Sequence, residues 1–266
     1  MKLRQLLFCV AAVGLMGASS AALAQSATSA PAGYLAAGEA PDSMRILPAP
    51  PAAGSGRMAD DQAIFDKTRA LKGDPRWDLA TADADLKPDH GAADFACALG
   101  VTLDASNAPT VLSILKRTSL DARSVIDPAK DHYARPRPIV ASLDAPICVA
   151  KTDDLMKSAS YPSGHSTQSW AWGLILAELA PDRATEILMR ARSIGESRIV
   201  CGVHYLSDIQ AGRDTGAILV ARLHASPEFR ADLEKAKAEI AAARETPHVG
   251  PEACLVPDQA AAHPPY

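Results

Sequence analysis

Three short stretches carry residue types that could act together on a polyanion. The first, Lys130-Asp131-His132-Tyr133-Ala134-Arg135-Pro136-Arg137-Pro138, is a basic group closed by prolines; the second is Pro162-Ser163-Gly164-His165; the third runs from Ser197-Arg198 to His204-Tyr205-Leu206-Ser207-Asp208. Transfer of a phosphoryl group without a metal needs several charge-assisted donors for three equatorial oxygens. Arg137 and Arg198 each offer a planar fork and Lys130 a point charge. Ser163 and the Gly164 N–H add neutral donors where a helix would start. His204 and Asp208 are four apart, one turn if helical, so the carboxylate can hold one ring nitrogen while the other attacks phosphorus. His165 can protonate the leaving alcohol and then activate water.

Each feature alone has a plainer reading. A single arginine usually makes a surface salt bridge, a single histidine is usually structural, and Pro-Ser-Gly is ordinary turn and cap chemistry. Together they supply a cradle, a nucleophile and a proton donor. A phosphate-binding protein without turnover would use the cations but has no need of His165 or of an Asp-oriented His204. A metal-dependent enzyme would show a His and carboxylate cage rather than a set of cations, so no cofactor and no metal ligand is expected. Opposite protonation demands on His204 and His165 predict a bell-shaped rate profile, on the acid side of neutral for a reference histidine pKa of about 6.5.

The elements that must position these groups read as helices. The chain has 266 residues, 48% of them hydrophobic, enough for one sizeable core. Helical spacing is found over 60–71, 76–86, 89–100, 108–126, 168–179, 183–196, 203–224 and 227–244, with Phe95, Leu99, Leu112 and Leu115 as inward candidates. No sustained period-two alternation occurs, which predicts an all-α, single-domain helical bundle. Residues 1–24 have the basic start, short apolar run and A-x-A end of a secretory signal peptide, implying export to the periplasm. Residues 25–44 read as a flexible leader, 45–245 as the domain, with an extended Pro-rich stretch laid on the surface over 46–51, and 246–266 as a Pro-rich tail. The formal charge of −4 offers no footprint for nucleic acid, and no stretch approaches the roughly 20 apolar residues of a membrane span. Cys97, Cys148, Cys201 and Cys254 follow the leader; they permit either free thiols or disulfides, in any of three pairings. Oligomeric state is left open.

The motif set resembles the type 2 phosphatidic acid phosphatase superfamily. Lys130-x6-Arg137-Pro138, Pro162-Ser163-Gly164-His165 and Ser197-Arg198-x5-His204-x3-Asp208 give eleven fixed residues in order, separated by 23 and then 31 residues. Within it, the signal peptide, the Leu-Pro-rich entry, "SYPSGH" and "GESRIVCGVHYLSD" are most similar to bacterial class A non-specific acid phosphatases, over about residues 45–245. The resemblance implies a helical fold, a phosphohistidine intermediate and small-molecule phosphate monoesters as substrates. It makes His204 the nucleophile, Asp208 its partner, His165 the acid and base, and Lys130, Arg137, Ser163, Gly164 and Arg198 the phosphate cradle. Only the family spacing selects Arg137 over Arg135. Ile139, Tyr205 and Ala159 depart from common family residues, which bears on pocket shape and substrate preference. Vanadium haloperoxidases resemble the same cradle, and bromide oxidation with vanadate and peroxide would distinguish that chemistry.

Overall fold

The structure, a computed structural model, describes residues 32–88, 90–246 and 249–266. The signal-peptide reading of 1–24 lies outside them. Twelve α-helices occur among the described residues: α1 Ser43–Ile46, α2 Gly56–Thr68, α3 Pro75–Ala82, α4 Ala96–Leu99, α5 Pro109–Tyr133, α6 Pro138–Ala141, α7 Asp153–Lys157, α8 Gly164–Leu179, α9 Ala184–Val200, α10 Leu206–Leu223, α11 Pro227–Ala243 and α12 Pro251–Ala262. No strand is present among them, and the fold is all-α.

The helix starts follow local chemistry. Ser55 caps α2 by accepting from the Met58 N–H at 3.2 Å, and Asp74 caps α3 by accepting from Arg76 at 2.7 Å, with Pro75 in the first turn. At the centre lies α8, whose buried face runs around most of the helix: Ala171, Trp172, Ile175 and Leu176 are fully enclosed. Around it pack Val111, Ile114 and Leu115 of α5, Ile187 and Ile194 of α9, Leu219 of α10 and Phe229 of α11. The Trp172 indole N–H donates to the Leu115 carbonyl at 2.9 Å, so its burial leaves no orphan donor. Close approach of α10 to α8 depends on glycine: a Cβ at Gly212 would stand 2.7 Å from the Ser163 carbonyl, and one at Gly216 2.7 Å from that of Thr167. That contact brings the start of α10 to the start of α8.

The structure differs from the sequence reading in several places. Tyr34, in the stretch read as a flexible leader, is buried, edge-on to Phe229 at 5.2 Å, with its backbone N–H on Asp121 at 2.7 Å. Within the stretch read as a tail, α12 packs beside α9 and is tied to α4 by the Cys97–Cys254 disulfide. Cys148 and Cys201 form the second bridge. The helix expected over 89–100 is a 3-10 turn at Ala93–Phe95 followed by α4. There the chain is pressed against Trp172, and a Cβ at Gly91 would lie 2.2 Å from its ring. Over 46–51, Leu47 is buried rather than laid on the surface, and the Pro48 carbonyl accepts from Tyr161 at 2.6 Å.

The helix expected from Val203 begins only at Leu206, because Gly202 takes a left-handed turn at φ 77°. His204 therefore lies just before the helix and Asp208 inside its first turn, not on successive turns of one helix.

Candidate active site

Each motif stretch ends at the same place. The last turn of α5 carries Lys130, and the helix stops at Ala134 in a left-handed conformation, φ 43°. The two arginines that follow then diverge. Arg137 turns to His204: its Nη1 donates to the Val203 carbonyl at 2.9 Å and stands 2.9 Å from His204 Nε2. Its Nε donates to Ser158 at 3.0 Å. Arg135 turns the other way, donating to Asp208 at 2.6 Å, Ser207 at 2.7 Å and Asp61 at 2.8 Å.

Arginine only donates, so the His204 Nε2 beside Arg137 is an acceptor with its lone pair toward the cradle, and the ring proton sits on Nδ1. That nitrogen faces Asp208 Oδ2 at 3.4 Å. The same oxygen accepts from the Tyr205 N–H at 2.8 Å, so Asp208 closes the first turn of α10 and orients the imidazole at once. Burial pushes the Asp208 carboxyl up, and the Arg135 guanidinium pulls it back.

Ser163 is the N-cap of α8, accepting from Ser166 at 3.4 Å, and its own N–H donates to the Asp208 carbonyl at 3.0 Å. The stitch joins the starts of α8 and α10, with Gly164 and His165 in the first turn of α8. His165 Nε2 lies 3.1 Å from the Ala84 carbonyl, which can only accept, so this nitrogen is the donor. Lys130 donates to the Ala159 carbonyl at 2.5 Å. Arg198, from α9, is 5% exposed, and its Nε and Nη1 have no hydrogen-bond partner among the described residues.

The electrostatics are those of a crowded cationic pocket. Burial, then Arg137, Lys130 and Arg198, hold the His204 imidazole well below its ordinary value. Burial and Arg198 push His165 down to about 3. Burial and Arg137 bring Lys130 to about 8, and burial brings Arg137 and Arg198 each to about 10. Every shift disfavours more positive charge, the condition an anion would relieve. Among the described residues, no group of three or more His, Cys, Asp or Glu is placed to hold a metal ion, and no helix is long and apolar enough to cross a membrane.

Known proteins share this chain's sequence over most of its length. Residues 109–231 match the PAP2 superfamily. An acid phosphatase of Zymomonas mobilis subsp. mobilis is 44% identical over 208 residues, 78% of either chain. The chain belongs to the PAP2 superfamily, among its non-specific acid phosphatases. Two further members are the non-specific acid phosphatases of Providencia stuartii, 39% identical over 78% of this chain and 84% of that one, and of Salmonella typhimurium, 34% identical over 76% and 81%.

For this PAP2 chain, the residues named from sequence lie near one another: Lys130, Arg137 and Arg198 each act on both His165 and His204, with Ser163, Gly164 and Asp208 adjoining. Sequence reasoning missed the supports. Asp61 on α2 binds both Arg135 and Ser207, and no local pattern distinguishes it from Asp60. The Ala84, Ser158 and Ala159 contacts use backbone carbonyls or a loop hydroxyl, which carry no motif. Arg135 could be told from Arg137 only by direction, which the left-handed Ala134 sets.

Proposed function

We propose that this acid phosphatase hydrolyses small-molecule phosphate monoesters through a phosphohistidine, without a metal, after export by its signal peptide. The observation that carries the reading is the buried Arg198, whose Nε and Nη1 have no partner among the described residues, acting with Arg137 and Lys130 on a His204 whose Nε2 lone pair is turned to Arg137. A site with that many unbalanced cations fits a doubly charged, multi-oxygen ligand, and the lone pair makes it more than a binding site.

The phosphoryl oxygens take the Arg137, Arg198 and Lys130 donors, with Ser163 and the Gly164 N–H at the start of α8. His204 Nε2 forms the bond to phosphorus while Asp208 holds the Nδ1 proton and balances the charge gained by the ring. The ester oxygen leaves with the proton of cationic His165. Water then attacks the phosphohistidine, now-neutral His165 takes its proton, the P–N bond breaks, and inorganic phosphate leaves. A low His165 pKa is consistent with this, because the substrate's own charge offsets the cations that depress it. Another alcohol in place of water would give phosphotransfer.

The test is hydrolysis of a chromogenic phosphate monoester at pH 5 to 7 with chelator present, for wild type and His204→Ala. Activity is expected to survive the chelator and to disappear in the variant with its helical circular dichroism unchanged. Turnover by a folded His204→Ala protein would remove His204 as nucleophile.

A further inference from the structure

One buried carboxylate has no part in these steps. Asp83 follows α3 and is 1% exposed. Its two oxygens accept from Arg190 of α9 at 2.6 and 3.2 Å, and Oδ2 also accepts from the Ser197 hydroxyl at 2.5 Å. Arg76 closes the group, donating to Ser197 Oγ at 2.9 Å and to the Ser193 carbonyl at 3.2 Å. An ion pair this deep gains little net stability over an apolar core, since desolvation offsets most of the attraction.

Its position in the chain suggests what it does. The next residue, Ala84, supplies the carbonyl at His165 Nε2, and one turn along α8 Gln168 donates to the Leu86 carbonyl at 2.9 Å. On the other side, Ser197 directly precedes Arg198, whose Nε and Nη1 have no hydrogen-bond partner among the described residues. Asp83 thus joins the backbone that holds the proton donor to the helix that supplies a phosphate ligand.

We propose that Asp83 is a positioning residue for phosphoryl transfer: by gripping Arg190 and Ser197 of α9 it fixes the Ala84 carbonyl against His165. The proposal rests on His165 being the proton donor. With Nε2–H held by Ala84, the ring presents Nδ1 to the leaving oxygen; with that carbonyl displaced, the imidazole can turn away, and a proton donor must stay within hydrogen-bond reach to act.

Leaving-group chemistry separates positioning from a merely structural role. An alkyl phosphate must expel an alkoxide and depends on protonation; a dinitrophenyl phosphate expels a stable phenolate and does not. The experiment compares kcat/KM, which covers only the steps up to departure of the alcohol, for glycerol 2-phosphate and 2,4-dinitrophenyl phosphate in wild type, Asp83→Asn, Ser197→Ala and His165→Ala. Asp83→Asn is expected to lose roughly ten- to a hundredfold on the alkyl ester and no more than about threefold on the aryl ester. Ser197→Ala, which keeps Asp83 and Arg190 paired, should show the same pattern more weakly, and it carries the test if Asp83→Asn does not fold. Equal losses on both esters, or none on either, would overturn the proposal. If His165→Ala discriminates between the esters and the Asp83 and Ser197 variants do not, the positioning role alone falls; if His165→Ala does not discriminate, the donor assignment falls and takes this proposal with it.

Discussion

The two histidines of the site are both starved of protons, yet the proposed chemistry asks opposite things of them. His204 is suited by this: burial and the neighbouring cations favour a neutral ring, with Nδ1–H toward Asp208 and the Nε2 lone pair left for phosphorus. His165 must gain a proton, and its value is about 3, with burial and then Arg198 as the leading causes. A dianion among Lys130, Arg137 and Arg198 reverses that field, so ligand binding and protonation of His165 are coupled. Sulfate is a suitable probe because it stays doubly charged through mild acid and brings no proton of its own. Calorimetry in buffers of different ionisation enthalpy at pH 5 should find up to about one proton taken up per sulfate bound by wild type and none by His165→Ala. Equal uptake by both proteins would mean that another group responds to the anion. At this scale the sequence was informative about residue type and poor about direction. Eleven spaced residues point to the proposed cradle, but the split between Arg135, which serves Asp208, and Arg137, which serves His204, is made by the backbone at Ala134.

Among the elements, helix starts matter more than helix bodies. Pro162-Ser163-Gly164 is readable as an N-cap because the serine hydroxyl and the bare glycine have few other uses there. Where α10 starts was less readable, since an apolar pattern continues through Val203 and only the left-handed turn at Gly202 delays the helix. Cysteine pairing was not readable at all, because Cys148 and Cys201 are brought together by tertiary packing. Their bridge bears on function: Cys201 closes α9 three residues before His204, and Cys148 sits at the other end of the loop leading to Ser158 and Ala159, which hold Arg137 and Lys130. Arg69 reinforces the same junction, donating to the Pro146, Ile199 and Val200 carbonyls. Replacing both cysteines by alanine should cost about 4 kcal/mol of stability on the chain-entropy account, given a separation of 53 residues. It should also weaken competitive inhibition by inorganic phosphate, about tenfold. Thermal unfolding and inhibition constants check the two effects separately; a less stable protein with unaltered phosphate affinity would assign the bridge to stability alone.

For the whole molecule, charge is the organising fact: an acidic chain, −4 overall, concentrates buried cations at one point and surrounds them with an apolar helical core. The arrangement makes stability depend on pH. His204 and His165 have folded-state values below the unfolded reference of about 6.5. Below that pH the unfolded chain binds protons that the folded protein excludes, so stability falls with falling pH, over a window reaching down to about 3 for His165. Asp94 acts in the opposite sense: burial pushes it up to about 6, so the folded state gains a proton there before the unfolded chain does. The histidine contribution is isolated by comparing wild type with His204→Ala in urea unfolding without phosphate, from pH 7 to 5. Each histidine contributes up to about 1.4 kcal/mol per pH unit below the unfolded value, so the variant should show a shallower decline by about that slope. Saturating phosphate should restore stability to wild type, by about 2.7 kcal/mol at a hundred times its dissociation constant. Identical slopes in the two proteins would mean that His204 accepts a proton in the folded state, and a nucleophile that protonates there could not keep its lone pair for phosphorus in mild acid.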